Sequence, residues 1–125
     1  MKQEVKTDGA VKATGLLSQA VVSNGFIFLS GFIHNTPEGK LIEGSVEDRV
    51  RQIMKNLEAV LKAAGADFSH VVKATVYVTD IAELPQVNEI YKTYFSNPFP
   101  AREGICVKAL PLGASIEISM VASKL

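Results

Sequence analysis

The sequence predicts an α+β domain in which a mixed β-sheet carries two helices on one face, a two-layer arrangement. Three observations predict it. Residues 45–64 place apolar side chains at intervals of three and four, the signature of a helix with one buried stripe. Residues 84–95 repeat that spacing more briefly. Around these segments lie short runs in which apolar and polar residues alternate, as half-buried strands require. The order reads β-β-α-β-α-β-β over 1–125 as one domain, with an additional strand in front left open. Two helices suffice to cover one face of such a sheet.

Taken in order, "QEVKT" near the start could form that leading strand. "AVVSNGFIFLSGFI" reads as two strands about Asn24-Gly25, a dipeptide whose residues both tolerate positive φ. Phe26, Phe28 and, with a shift, Phe32 suit a half-buried pleat. "HNTPEGKLIEG" is a polar loop rich in turn formers. In the first helix Val46, Val50, Ile53, Met54, Leu57, Val60, Leu61 and Ala64 form the apolar stripe. Ser45 can cap its start, and Gly65 stops it. Arg49, Arg51, Lys55, Glu58 and Lys62 read as a solvated face. "VVKATVYVTD" is a strand with Val72, Ala74, Val76 and Val78 on one side and Lys73, Thr75, Tyr77 and Thr79 on the other. The second helix begins after Asp80 or near Pro85 and runs to about Phe95, with Leu84, Val87, Tyr91, Tyr94 and Phe95 as its stripe; Pro98 and Pro100 forbid continuation. In the last two strands Arg102, Gly104, Cys106 and Lys108 share one face, and so do Glu117, Ser119 and Val121. The sheet face opposite the helices is expected to carry Arg102, Cys106, Glu117, Thr75 and Tyr77, and to pack against another subunit.

Composition narrows the function. The 125 residues are 47% hydrophobic and 21% charged, with formal net charge zero. A neutral chain lacks the basic face of a nucleic-acid binder, so nucleic acid is not an expected partner. A lone cysteine cannot form an intramolecular disulfide and fits a reducing compartment. No apolar run reaches membrane-spanning length, so no membrane partner is expected. The N-terminus shows neither a signal-peptide core nor a transit pattern, which makes the cytoplasm the default location, with import into mitochondria left open. His34 and His70 have no metal-ligand spacing, so no metal site is expected, and no phosphate or dinucleotide loop is present. Cys106 reads as a buried filler rather than a nucleophile.

Arg102 and Glu117 remain, each costly to bury alone. One reading is a structural ion pair or rim charges at an interface. The other is a binding site: an arginine fork grips a carboxylate bidentately, and a glutamate in a partly dry cleft holds and activates a water. Geometry complicates the second reading. A tight hairpin around "LPLGA" would leave Glu117 about six residues from the position opposite Arg102, or ~20 Å at strand rise. Either a bulge or another strand order shifts the register, or the two residues come from different subunits.

The whole chain resembles the Rid (YjgF/YER057c/UK114) family of reactive-intermediate deaminases. The resemblance rests on "SQAV", "LSG", "NLEAVLKAAGADFSHVVKATVYVTD", "VNEIYKTYF", "PAR" and "LPLGASIEISMVA". It implies the chorismate-mutase-like α+β fold, a homotrimer with clefts between subunits, and hydrolysis of 2-imino acids or enamines to 2-keto acids and ammonia without a cofactor. It places the carboxylate-binding role on Arg102 and the water-activating role on Glu117. Substrate contacts fall on Ser18 and Gln19, on Gly31 with Phe32 and Ile33, and on Asn88. Three departures stand out: Leu17 where the family has tyrosine, Gly104 where it has cysteine (Cys106 follows on the same face), and "GFIH" for "GQIP". They imply a pocket roomier near Gly104 and greasier near Leu16, Leu17 and Phe32, suited to larger or more apolar imino acids. The alternatives are a non-catalytic or chaperone-like trimer that binds small carboxylates and, least favoured, a ribonuclease.

Overall fold

The structure is a computed structural model that describes residues 1–124. Its strands are β1 (Gln3–Val5), β2 (Ala20–Ser23), β3 (Phe26–Leu29), β4 (Phe32–Ile33), β5 (Val71–Val78), β6 (Ala101–Cys106) and β7 (Ile116–Ser123); its helices are α1 (Val46–Ala63) and α2 (Leu84–Tyr91). They form one mixed sheet in the order β1-β2-β3-β7-β5-β6, with the short β4 also paired to β7. Only β5 and β6 are parallel, as expected of strands joined through a crossover helix, here α2. The predicted α+β class and the two helices on one face of a mixed sheet are therefore present.

The helix limits follow from local chemistry. Ser45 Oγ accepts a 3.0 Å bond from the Asp48 N–H at the start of α1. At its end Gly65 takes φ +80°, and the Ala66 and Gly65 N–H groups bond back to Leu61 and Lys62 carbonyls, each at 2.9 Å. Pro85 sits in the first turn of α2, which runs on as a single tight turn, Lys92–Tyr94. Val50, Ile53, Met54, Leu57, Val60 and Leu61 are fully buried against Ile27, Ala74, Val76, Val78, Ile116, Ile118 and Ala122 of the sheet. Each such side chain stabilises the fold by about 1.5–3 kcal/mol relative to exposure.

Two bulges set which residues face which way. Phe28 pairs with Val121 and Phe32 with Ile118, so β3–β4 spends four steps where β7 spends three. The extra residue reverses the alternation: Phe28 is 44% exposed on the open face, whereas Phe32 is 4% exposed in the core. In β5, Val71 pairs with Ala122 and Lys73 with Val121, which turns Val71 inward and leaves Val72 exposed rather than on the buried side with Ala74.

Candidate active site

Glu117 lies on β7 at the middle of the sheet, paired with Ile33 of β4 and Tyr77 of β5. Along β7 buried and half-buried residues alternate, so Ile116, Ile118 and Met120 face the helices and Glu117 faces away. The carboxyl is half-buried with no ion pair or hydrogen bond among the described residues. Burial alone pushes its pKa above the usual carboxylate range. Its side chain folds over Gly31, where a Cβ would overlap the carboxylate. That space requirement explains the glycine.

The segment before β2 is tied down beside this site. The buried Gln19 side chain accepts from the Thr7 N–H at 2.8 Å and donates to the Val11 carbonyl at 2.8 Å. Ser30 Oγ donates to the Ser18 carbonyl at 2.6 Å. These bonds leave Leu16 and Leu17 exposed at a groove of about 1030 Å³ that also touches Ser18, Phe28 and Ser30.

Arg102 occupies a different environment. β6 is an edge strand of the sheet and is exposed along its length. Arg102 pairs with Ala74 and Gly104 with Val76, so both share the helix-side face with those buried residues. The guanidinium carbon stands 5.4 Å from the centre of the Tyr91 ring on α2. A Cβ at Gly104 would come within 3.2 Å of a Leu84 methyl, so Leu84 borders the space that Gly104 leaves. Nearby on α2, the buried Asn88 Oδ1 and Tyr91 hydroxyl have no hydrogen-bond partner among the described residues. Burial raises the Tyr91 pKa, against an opposing pull from Arg102, so the hydroxyl keeps its proton.

These positions correct several expectations. Arg102 and Cys106 do not share the open face with Glu117: parallel pairing with β5 turns them to the helix side, and Ala101, Glu103 and Ile105 face the other way. Glu103 there meets Thr75 Oγ1 and Lys73 Nζ, each at 3.3 Å. Cys106 is exposed rather than buried filler. The Phe32 ring belongs to the core, not to a cleft, because of the bulge. Arg49 is no solvated charge: it forms a double hydrogen bond to Glu83 at 3.1 and 2.9 Å. The last two strands form no hairpin, because β5 lies between them.

The outcome is a divided site. Arg102 is level with Met120 and Glu117 with Tyr77, three residues apart along β7 and two strands apart across the sheet. Strand rise and spacing put their Cα atoms roughly 14 Å apart, with side chains on opposite faces. Sequence reasoning missed Leu84 and Tyr91 as neighbours of these groups and gave Tyr77 only as sharing the Glu117 face. Only the parallel pairing of β6 brings the first two to Arg102, and only the β5–β7 register sets Tyr77 beside Glu117.

Fold and site define a class: two-layer α+β proteins with an arginine at a sheet edge, stacked on an aromatic ring, and a half-buried glutamate on the sheet's open face, neither in an ion pair among the described residues. The chain belongs within that class to the Rid (YjgF/YER057c/UK114) family. The family model described as Endoribonuclease L-PSP matches residues 7–124. Reactive Intermediate Deaminase A, chloroplastic, of Arabidopsis thaliana is 48% identical over 98% of the chain and 66% of that protein. The 2-iminobutanoate/2-iminopropanoate deaminase of Homo sapiens is 46% identical over 98% of the chain and 90% of that protein. Among solved structures, a conserved Rid-family protein of unknown function from Yersinia pestis superimposes with TM-score 0.95 at 42% identity, covering 98% of this chain and 99% of that one. TdcF of E. coli, solved with bound serine, superimposes with TM-score 0.91 at 30% identity over the same shares. No helix among the described residues is long and apolar enough to cross a membrane.

Proposed function

We propose that this protein hydrolyses 2-imino acids and their enamine tautomers to 2-keto acids and ammonia, at sites completed between copies of the chain in a homotrimer. The observation that carries this reading is that two charged groups with no ion pair among the described residues lie on opposite faces of one sheet. In one copy they cannot share a small substrate; Arg102 of one copy set against the Glu117 face of the next can. The names of the curated relatives support the reaction class, and the serine bound to TdcF is a small amino-acid carboxylate held by a family member.

The chemistry needs little more. Arg102 grips the substrate carboxylate and orients the C=N carbon. Glu117, whose raised pKa suits a base working near neutrality, takes a proton from water as the C–O bond forms. The same carboxyl returns that proton to nitrogen to give the carbinolamine, then takes the hydroxyl proton and passes it to nitrogen as the C=O bond forms, the C–N bond breaks and ammonia leaves. Asn88 and Tyr91 offer a polar lining near the Arg102 end. Leu16, Leu17 and Leu84 give the site an apolar border, and Ser18, Ile33 and Cys106 its remaining edges. That border favours imino acids with larger apolar side chains over 2-iminopropanoate.

The test is complementation. Arg102→Ala and Glu117→Gln are each expected to abolish ammonia release from 2-iminopropanoate generated in situ. Unfolding and refolding the two variants together should return activity to about a quarter of the wild-type sites, as shared sites in a mixed trimer require. No recovery would place both groups in a single chain's site. Keto-acid binding without ammonia release in the wild type would favour the non-catalytic alternative. Side-chain preference is read by comparing 2-iminopropanoate with the imines of leucine and methionine.

A further inference from the structure

His34 is 2% exposed, and its ring joins two segments that are distant in sequence. Nδ1 lies 2.7 Å from the Ile42 carbonyl, and Nε2 lies 3.0 Å from the Ser115 N–H. A carbonyl can only accept and an N–H can only donate. The ring is therefore the neutral tautomer with its proton on Nδ1. Its own backbone is held from behind: Asn56 Nδ2 of α1 donates to the carbonyls of Ile33 and Asn35, at 3.2 and 2.9 Å.

The location matters for the site. Ile33, one residue before the histidine, is the β4 partner of Glu117. Ser115 lies two residues before Glu117, and its carbonyl accepts from the Thr79 N–H at 3.1 Å. The ring thus closes a loop around the Glu117 backbone, from β4 to the start of β7. We propose that neutral His34 is a positioning residue for Glu117, and that its protonation releases Ser115 and disengages the carboxylate from its working position. This inference rests on the deaminase reading of Glu117.

The surroundings decide how the ring responds to acid. A protonated ring would aim an N–H at the Ser115 N–H and leave that donor without an acceptor. The Ser115 hydroxyl, 3.4 Å away, already accepts from Arg49 Nη1. Arg49 on α1 opposes a second positive charge, while Glu43 of the loop and Glu83 before α2 favour one. Glu83 is already engaged by Arg49. Burial is the largest influence and sets the pKa of His34 below the usual histidine value. The clamp's contribution is then full above the unfolded-state value and is lost as pH falls through the lower folded-state value.

The experiment compares wild type with His34→Gln, whose side-chain amide can donate to Ile42 and accept from Ser115 without titrating. Wild-type kcat for imine hydrolysis should fall about tenfold across the His34 titration with KM little changed, since substrate is gripped elsewhere. His34→Gln should keep kcat within about threefold of wild type at neutral pH and lose that inflection. Superimposable pH profiles of kcat overturn the proposal. His34→Ala, if folded, should lose kcat at every pH; a stability loss with wild-type kcat also overturns it. Hydrogen exchange of the Ser115 amide provides a readout independent of turnover. Even if the wild type hydrolyses no imine, so that the deaminase reading fails, protection that drops as His34 protonates supports the clamp, and pH-independent protection refutes it.

Discussion

The Glu117 end of the site sits in the middle of the sheet, whereas the Arg102 end lies on an edge strand. Glu117 is flanked by paired strands on both sides, and its side chain is confined over Gly31 by a glycine that leaves just enough room. Arg102 rests one side of its guanidinium on Tyr91 and is otherwise open. The half assigned to proton transfer is held in place by the sheet and raised in pKa by partial burial. The half assigned to capture of a charged ligand keeps its reach. Confinement and desolvation are thus concentrated where proton transfer is proposed, and adaptability where substrate capture is proposed.

The sharpest way to break this contrast is at Arg102. Arg102→Ala should cut kcat/KM for 2-iminopropanoate by about a thousandfold while leaving the melting temperature unchanged, because an exposed edge residue carries little stability. Arg102→Lys should recover part of the loss, since a single ammonium lacks the bidentate fork. A comparable drop in melting temperature would mean that the edge is structural.

Gly31→Ala probes the other half. The new Cβ meets the far end of the Glu117 side chain, not backbone, so the carboxylate can swing aside. Activity is expected to fall about a hundredfold, with a stability change under about 1 kcal/mol. Steady-state kinetics and a thermal melt together check both parts.

Glu117→Gln separates function from stability by sign. The folded-state pKa of Glu117 is raised, so its favourable contribution exists at low pH and is lost as pH rises through the folded value. At neutral pH the charged form burdens the fold, and Glu117→Gln should melt slightly higher than wild type while losing deaminase activity. At acid pH, below the unfolded-state value, the difference in melting temperature should vanish.

The smallest effect is expected at Tyr91→Phe. Removing a buried hydroxyl with no partner among the described residues should stabilise the ligand-free protein by about 1 kcal/mol. If substrate uses that hydroxyl, KM should rise about threefold with kcat unchanged. A destabilised variant would reveal a partner for the hydroxyl in the folded protein.

Much of this architecture could be read from local pattern. The stripe of α1, the Asn24-Gly25 turn at φ 54° and 79°, and the alternation of β7 all report short-range physics. Strand order could not be read that way, because the chain leaves β5 through α2 and returns on its far side. Alternation told which residues of β6 share a face with Arg102, but not which face, and parallel pairing chose the helix side. The bulge between β3 and β4 reversed Phe32 relative to Phe28 with no motif to announce it. Arg49 and Glu83, 34 residues apart, were invisible as a pair for the same reason. The motifs "PAR" and "IEI" singled out Arg102 and Glu117 as candidates; what they lacked was the distance between them.

The exposed parallel edge at β6 has one more consequence, for solubility. An open strand invites neighbouring molecules to add their own backbone and grow into fibrils. Pro98 and Pro100 lead into this one, and the charges of Arg102 and Glu103 stand on opposite sides of it, so a stacked copy would bring like charges together. The arginine to which we assign substrate capture thereby also guards the molecule against aggregation, and replacing both charges with valine should shorten its life in concentrated solution.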